Sequence, residues 1–138
     1  MTKTAAKQNP VVSREVAAGE VDSWLDARKV RPSKREHLKN NIEELIDFMV
    51  DGIITIDPDD SFNITHKLMF PIGDKIEFKY KSRIQNFDIT NRLKTAGSDQ
   101  ISRISAYIGA LSGEGVGIIG KMDTEDYEIA AVIAVFFM

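Results

Sequence analysis

Residues 62–80 read FNITHKLMFPIGDKIEFKY, and the reading of this stretch decides the fold. Phe62, Ile64, His66 and Leu68 alternate with polar residues, and so do Ile76, Phe78 and Tyr80. A period of two places each set on one face of a β-strand. Between the sets lies Phe70-Pro71-Ile72-Gly73-Asp74, whose proline and glycine suit a hairpin turn. Just upstream, Ile53 to Ile56 is a β-branched run broken by Asp57-Pro58-Asp59-Asp60. The spacing predicts a small antiparallel sheet over residues 53–82.

On both sides of this sheet the period changes to that of a helix. Ser33 and Glu36 form an S-x-x-E capping box, and Leu38, Ile42, Leu45, Ile46 and Met49 follow at helical spacing up to Gly52. This predicts a helix over 34–50. An earlier helix is predicted from Ser13, with Val16, Val21, Trp24 and Leu25 on one side, Gly19 weakening it, and an end after Lys29 before Pro32. Residues 1–12, closed by Pro10, read as a flexible lead. Downstream, Asn86 to Lys94 predicts a short helix, and Ser98 is positioned to cap another that aligns Ile101, Ile104, Ile108 and Leu111. Gly113 to Gly120 reads as a glycine-rich connector with room for one helical turn. Asp123 or Thr124 then caps a last helix. The fold class is α+β: an N-terminal helical segment (13–52), a small antiparallel β-sheet and C-terminal helices, the last two forming one unit over 53–138.

Charge and composition narrow the function. With 18 basic and 21 acidic side chains the net charge is −3, which argues against a general nucleic-acid binder, since such affinity comes from neutralising phosphates. The absence of cysteine excludes a disulfide framework, a thiol nucleophile and a cysteine-ligated metal, and it fits a reducing compartment. Met1 to Asn9 lacks the apolar middle region of a signal peptide. No apolar run approaches the roughly 20 residues of a membrane span. These features point to the cytoplasm and to no membrane partner.

Motifs that suggest chemistry fail on context. Gly115-Val116-Gly117-Ile118-Ile119-Gly120 matches G-x-G-x-x-G, but a dinucleotide site needs that turn between a strand and a helix, with an acidic residue about 20 positions on. Here it follows a helix. Asp57, Asp59, Ser61 and Asn63 alternate like the start of a calcium loop, yet Phe62 and Leu68 stand where glycine and glutamate are required. His37 and His66 fall on different elements, and the strand pattern allows His66 to point outward, away from any metal. Arg28, Lys29, Arg31, Lys34, Arg35 and Lys39 cluster around Pro32 and read as a solvated helix junction without interleaved aromatics. Asp123, Glu125, Asp126 and Glu128 sit in the first turn of a helix, where the helix dipole favours carboxylates. No catalytic, cofactor-binding or metal-ligating residue emerges.

The C-terminus is different. Ile129 to Met138 is apolar around the whole helix circumference. Such a helix is either enclosed on all sides or packs against a partner. Enclosure of a terminal helix is difficult in a chain of this size, so the expectation is a protein partner.

The second half of the chain also resembles a known family. Leu68-Met-Phe-Pro-Ile-Gly-Asp-Lys-Ile-Glu-Phe78, then Arg83 with Asp88, and Met122-Asp-Thr-Glu-Asp-Tyr127 leading to Phe136-Phe137 follow the order seen in the tail assembly chaperones of long-tailed bacteriophages. The resemblance covers roughly residues 62–138, and Ile84 stands where the family usually has a proline after the arginine. It implies a non-enzymatic protein, without cofactor, that coats the helical tape-measure protein in the host cytoplasm during tail assembly, with self-association as a further mode. The alternative is a structural virion protein of the tail or baseplate. With the apolar terminal helix, this makes Arg83, Tyr127, Ile133, Phe136, Phe137 and Met138 the candidate partner-binding residues.

Overall fold

The computed structural model describes residues 11–96 and 99–138, and the N-terminal lead up to Pro10 lies outside them. Among the described residues, three helices come first: α1 (Arg14–Ala27), α2 (Pro32–His37) and α3 (Lys39–Val50). The sheet follows, with β1 (Ile54–Asp57), β2 (Asn63–Ile72) and β3 (Lys75–Tyr80). The chain closes with α4 (Asn86–Ala96), α5 (Gln100–Ser112), α6 (Val116–Gly120) and α7 (Thr124–Val135). The architecture is α+β, as the patterning predicts.

The sheet is antiparallel in the order β1-β2-β3. Ile54 faces His66 and Ile56 faces Ile64 across the first ladder. Ile64 faces Tyr80 and His66 faces Phe78 across the second. All six side chains are buried, so a single apolar face is written by period two in three strands. The pattern fails at the hairpin end. Between Lys67 and Ile72 the register shifts, and Ile76, expected to face inward with Phe78 and Tyr80, is 64% exposed. β2 carries three more residues than β3 over this stretch (67–72 against 75–77), a bulge that turns the strand ends away from the core. Pro71, which has no ladder hydrogen to donate, falls inside this irregular stretch. The turn is therefore tighter than the five residues expected: β2 runs to Ile72, and Gly73 supplies the left-handed backbone (φ 58°). Phe62 is likewise not in the strand but in a left-handed turn (φ 60°) after the Pro58–Asp60 helical turn.

The helices begin and end for local reasons. Ser13 caps α1, its hydroxyl accepting from the Val16 amide at 3.1 Å. Gly52, at φ 78°, follows the end of α3. The capping box does not form. Pro32 takes the first helical position, Arg31 is the cap residue, and Ser33 is already inside α2. A proline pre-sets its own φ and gives up an amide that would be orphaned anyway, so it sets the start two residues early. The single helix expected over 34–50 is also divided at Leu38 (φ −98°, ψ 16°), whose side chain is buried. Asp99 caps α5, while Ser98, expected in that role, lies outside the described residues. Asp123 caps α7 by accepting from the Glu125 amide at 3.0 Å.

The main correction concerns α7. It packs against α3, α5 and β2 at once, and Ile129, Ala130, Ile133 and Ala134 are all buried. Ala130 and Ala134 leave room for neighbours to approach, so most of this helix is covered within the chain, while Ala131, Val132 and Val135 are half-buried. Phe136 is wholly buried against Trp24, edge to face, with ring centres 5.2 Å apart. One continuous core runs from Ala17 to Phe136, across the expected boundary at residue 52.

Two substitutions test this packing. Phe136→Ala should lower the unfolding free energy by about 3–5 kcal/mol through loss of buried contacts. Ser33→Ala should change it by less than about 0.5 kcal/mol, because no cap is lost. Denaturant unfolding followed by the fluorescence of Trp24 measures both.

Candidate functional site

Three polar side chains lie inside the core, and each is there because of its element's period. His66 is two residues from Ile64 and two from Leu68, on the inward face of β2. Asp126 falls four residues after Met122 and three before Ile129, in the buried stripe of α7. Tyr80 closes the inward row of β3. His66 and Asp126 are both 0% exposed. The expectation that His66 points outward is overturned, and Asp126, in the first turn of its helix as expected, has a buried role beyond its fit to the helix dipole.

The hydrogen bonds close into one network. Asp126 Oδ1 accepts from the Met69 amide at 2.9 Å and its Oδ2 from the Phe70 amide at 3.0 Å. Both amides lie in the β2 bulge, where the ladder leaves them free. Oδ1 also lies 3.2 Å from His66 Nε2, and His66 Nδ1 lies 2.8 Å from the Tyr80 hydroxyl. The pattern is satisfied when His66 is neutral with its proton on Nε2: that N–H donates to Asp126, and the Tyr80 hydroxyl donates to Nδ1. Burial pushes the His66 pKa down, outweighing the opposing effect of Asp126. Burial, helped by Asp126, pushes the Tyr80 phenol up. These residue types could serve acid–base chemistry, but none of the three faces solvent.

The open site is elsewhere. A cleft of about 1120 Å³ lies between α4, α5, α6 and the start of α7. Ala106, Ala110, Gly113 and Ile119 are among the residues that line it. Ile101 and Val116, also part of the lining, are 70% and 72% exposed. Arg92 crosses α5 and donates to the Glu114 carbonyl at 2.9 Å. It can do so because residue 109 is glycine: a Cβ there would meet the Arg92 guanidinium at 2.2 Å. Tyr127 lines the same cleft, its hydroxyl 2.7 Å from Ser105 Oγ. The G-x-G-x-x-G stretch forms the short α6 on one side of the cleft, as a connector between helices.

The candidate partner-binding residues divide among three environments. Tyr127 is half-buried in the cleft, and Arg83 is exposed after β3. Ile133 and Phe136 are wholly buried, which removes them from the surface. Phe137 and Met138 are half-buried, and Phe137 lies beside Trp24 with ring centres 6.1 Å apart. The cleft residues Ile101 and Val116 and the polar core were missed. For His66 and Asp126 the signal was in the sequence, as polar residues at inward positions of a strand and a helix.

No helix among the described residues is long and apolar enough to cross a membrane, and no group of three or more His, Asp or Glu side chains among them is placed to hold a metal ion. Comparison with family models, curated proteins and solved structures finds no match to this chain.

The polar core makes stability depend on pH with a definite sign. The folded His66 binds its proton more weakly than the unfolded one, so its contribution is complete above pH about 6.5 and is lost as pH falls below that value. Unfolding free energy measured from pH 7.5 to 5 should fall with acidity, and His66→Gln should flatten that slope. Asp126→Ala, which strands two bulge amides and His66, should cost about 3 kcal/mol or more at pH 7.5.

Proposed function

We propose that the protein is a non-enzymatic assembly chaperone whose cleft receives an apolar helical segment of another protein, the tape-measure protein of a phage tail. The observation that carries this reading is the shape and lining of the cleft. A helix with side chains is about 10 Å across, and a cleft of about 1120 Å³ has room for part of one such helix. Small side chains at Ala106, Ala110 and Gly113 allow close approach, and Ile101 and Val116 offer apolar contact at the surface. That is the arrangement by which a groove takes the apolar face of a helix. The enclosure of His66, Tyr80 and Asp126 supports a role in binding over one in catalysis.

The phage assignment rests on the resemblance over residues 62–138. Within it the partner site moves from the terminal aromatics to the Tyr127 side of α7. The alternative, a permanent tail or baseplate subunit, draws on the exposed Met69, Phe70 and Ile76 of the hairpin, which would pack against neighbouring subunits. Mass spectrometry of purified particles separates the two, since a chaperone is released before the particle matures.

Co-expression with the longest coiled-coil-type reading frame beside its gene tests the cleft. A soluble complex is expected. Ile101→Asp and Val116→Asp should each weaken it by about tenfold or more, leaving the far-ultraviolet circular dichroism unchanged. A complex indifferent to both substitutions would count against the cleft as the binding site.

A further inference from the structure

Arg28, just past the end of α1, lies half-buried on the C-terminal aromatics. Its Cζ is 3.6 Å from the centre of the Phe137 ring and 5.4 Å from that of Trp24. Nη1 donates to the Ser82 carbonyl at 2.7 Å and Nη2 to the Phe136 carbonyl at 2.9 Å, while Nε is buried without an acceptor. Every partner of this cation is therefore neutral.

More positive charge gathers around it. The bond to Ser82 brings the next residue, Arg83, alongside. The left-handed turn at Lys29 (φ 56°) folds the chain back, so that Arg31 and Lys34 at the start of α2 reach the same region. Arg28 feels Arg83, and Lys34 feels Arg28 and Arg31. Burial, reinforced by Arg83, pushes Arg28 down to about 10, and burial, reinforced by Arg28 and Arg31, pushes Lys34 down. Among the described residues none of the four forms an ion pair, although nearby Arg35 is paired with Asp22 and Asp26. The carboxylates nearest in the chain, Asp22 and Asp26, are committed to Arg35 and do not pair with any of the four.

We propose that Arg31, Lys34 and Arg83, above the buried charge of Arg28, form a docking surface for an acidic segment of a partner protein. Charge complementarity specifies the occupant: like charges held together without a counter-ion raise the energy of the free protein, and carboxylates relieve that cost. The aromatic side chains decide between a polypeptide and a nucleic acid. Single strands bind by stacking bases on free aromatic faces. Here one Phe137 face is covered by Arg28 and Trp24 is wholly buried, so neither ring beside Arg28 serves as a stacking platform. The surface shares no residue with the lining of the cleft and does not depend on the chaperone reading.

The test titrates the full chain with a ten-residue oligoglutamate and, separately, with a ten-nucleotide single-stranded DNA, at low and moderate salt. The wild-type protein should bind oligoglutamate, more weakly as salt rises. The double substitution Arg31→Ser/Arg83→Ser should weaken binding by about tenfold, because two exposed charge contacts are lost. Neither side chain holds the fold, and serine is a good residue at the cap position of Arg31. Lys67→Ser/Lys121→Ser removes the same charge elsewhere and should leave binding unchanged. No binding by the wild type, equal loss in both double variants, or tighter binding of the DNA than of oligoglutamate would each overturn the proposal. Failure of this test leaves the cleft untouched, and failure at the cleft leaves this surface standing.

Discussion

A carboxylate taken out of water must find donors to replace its hydration, or its burial costs several kcal/mol. Asp126 finds them only because the β2 bulge frees the amides of Met69 and Phe70 and because His66 stands inward on the same strand. Each part requires the others. In a regular strand the two adjacent amides would point to opposite edges and could not converge on one carboxylate, and without α7 docked across the strand they would be orphaned. The carboxylate thereby sets where α7 crosses the sheet. His66 carries the constraint on to Tyr80 in β3. Buried polar groups of this kind specify one arrangement more than they add stability, since a shifted register would leave all of them unpaired.

With its first turn held by Asp126, α7 becomes the element around which the rest is packed. Its alanines admit α3 and α5, and beyond its end Phe136 meets Trp24 from the first helix. The two ends of the described chain therefore share one core. This also relocates function. The terminal aromatics, the most conspicuous apolar feature of the sequence, are largely spent on the fold. The surfaces proposed for partners are the cleft beside Tyr127, the basic surface around Arg28 and, in the alternative reading, the exposed Met69, Phe70 and Ile76 of the hairpin.

The elements were legible wherever one residue period dominated. Ile54, Ile56, Ile64, Phe78 and Tyr80 are spaced for one sheet face and occupy it. Gly52, Ser13 and Asp123 mark helix ends through their own backbone and side-chain chemistry. Readings failed where two local signals competed. Pro32 and Ser33 both mark a helix start, and the covalent constraint of the proline ring prevails over a hydrogen bond that other groups or water can replace. Ile76 keeps the alternation of β3, but it lies beside the stretch where β2 loses register, and the face it shares with Phe78 and Tyr80 is uncovered there.

The sequence by itself determined the α+β class, the three strands, most helix ends and the absence of thiol chemistry, because these depend on residues close together in the chain. Only the tertiary structure decided that most of α7 is covered within the chain, that His66 and Asp126 meet across sixty residues, and that Arg83 joins Arg28, Arg31 and Lys34. Those outcomes depend on which surfaces remain available once other elements have docked. Side-chain periodicity says which face of an element is apolar, but it does not say what will cover that face.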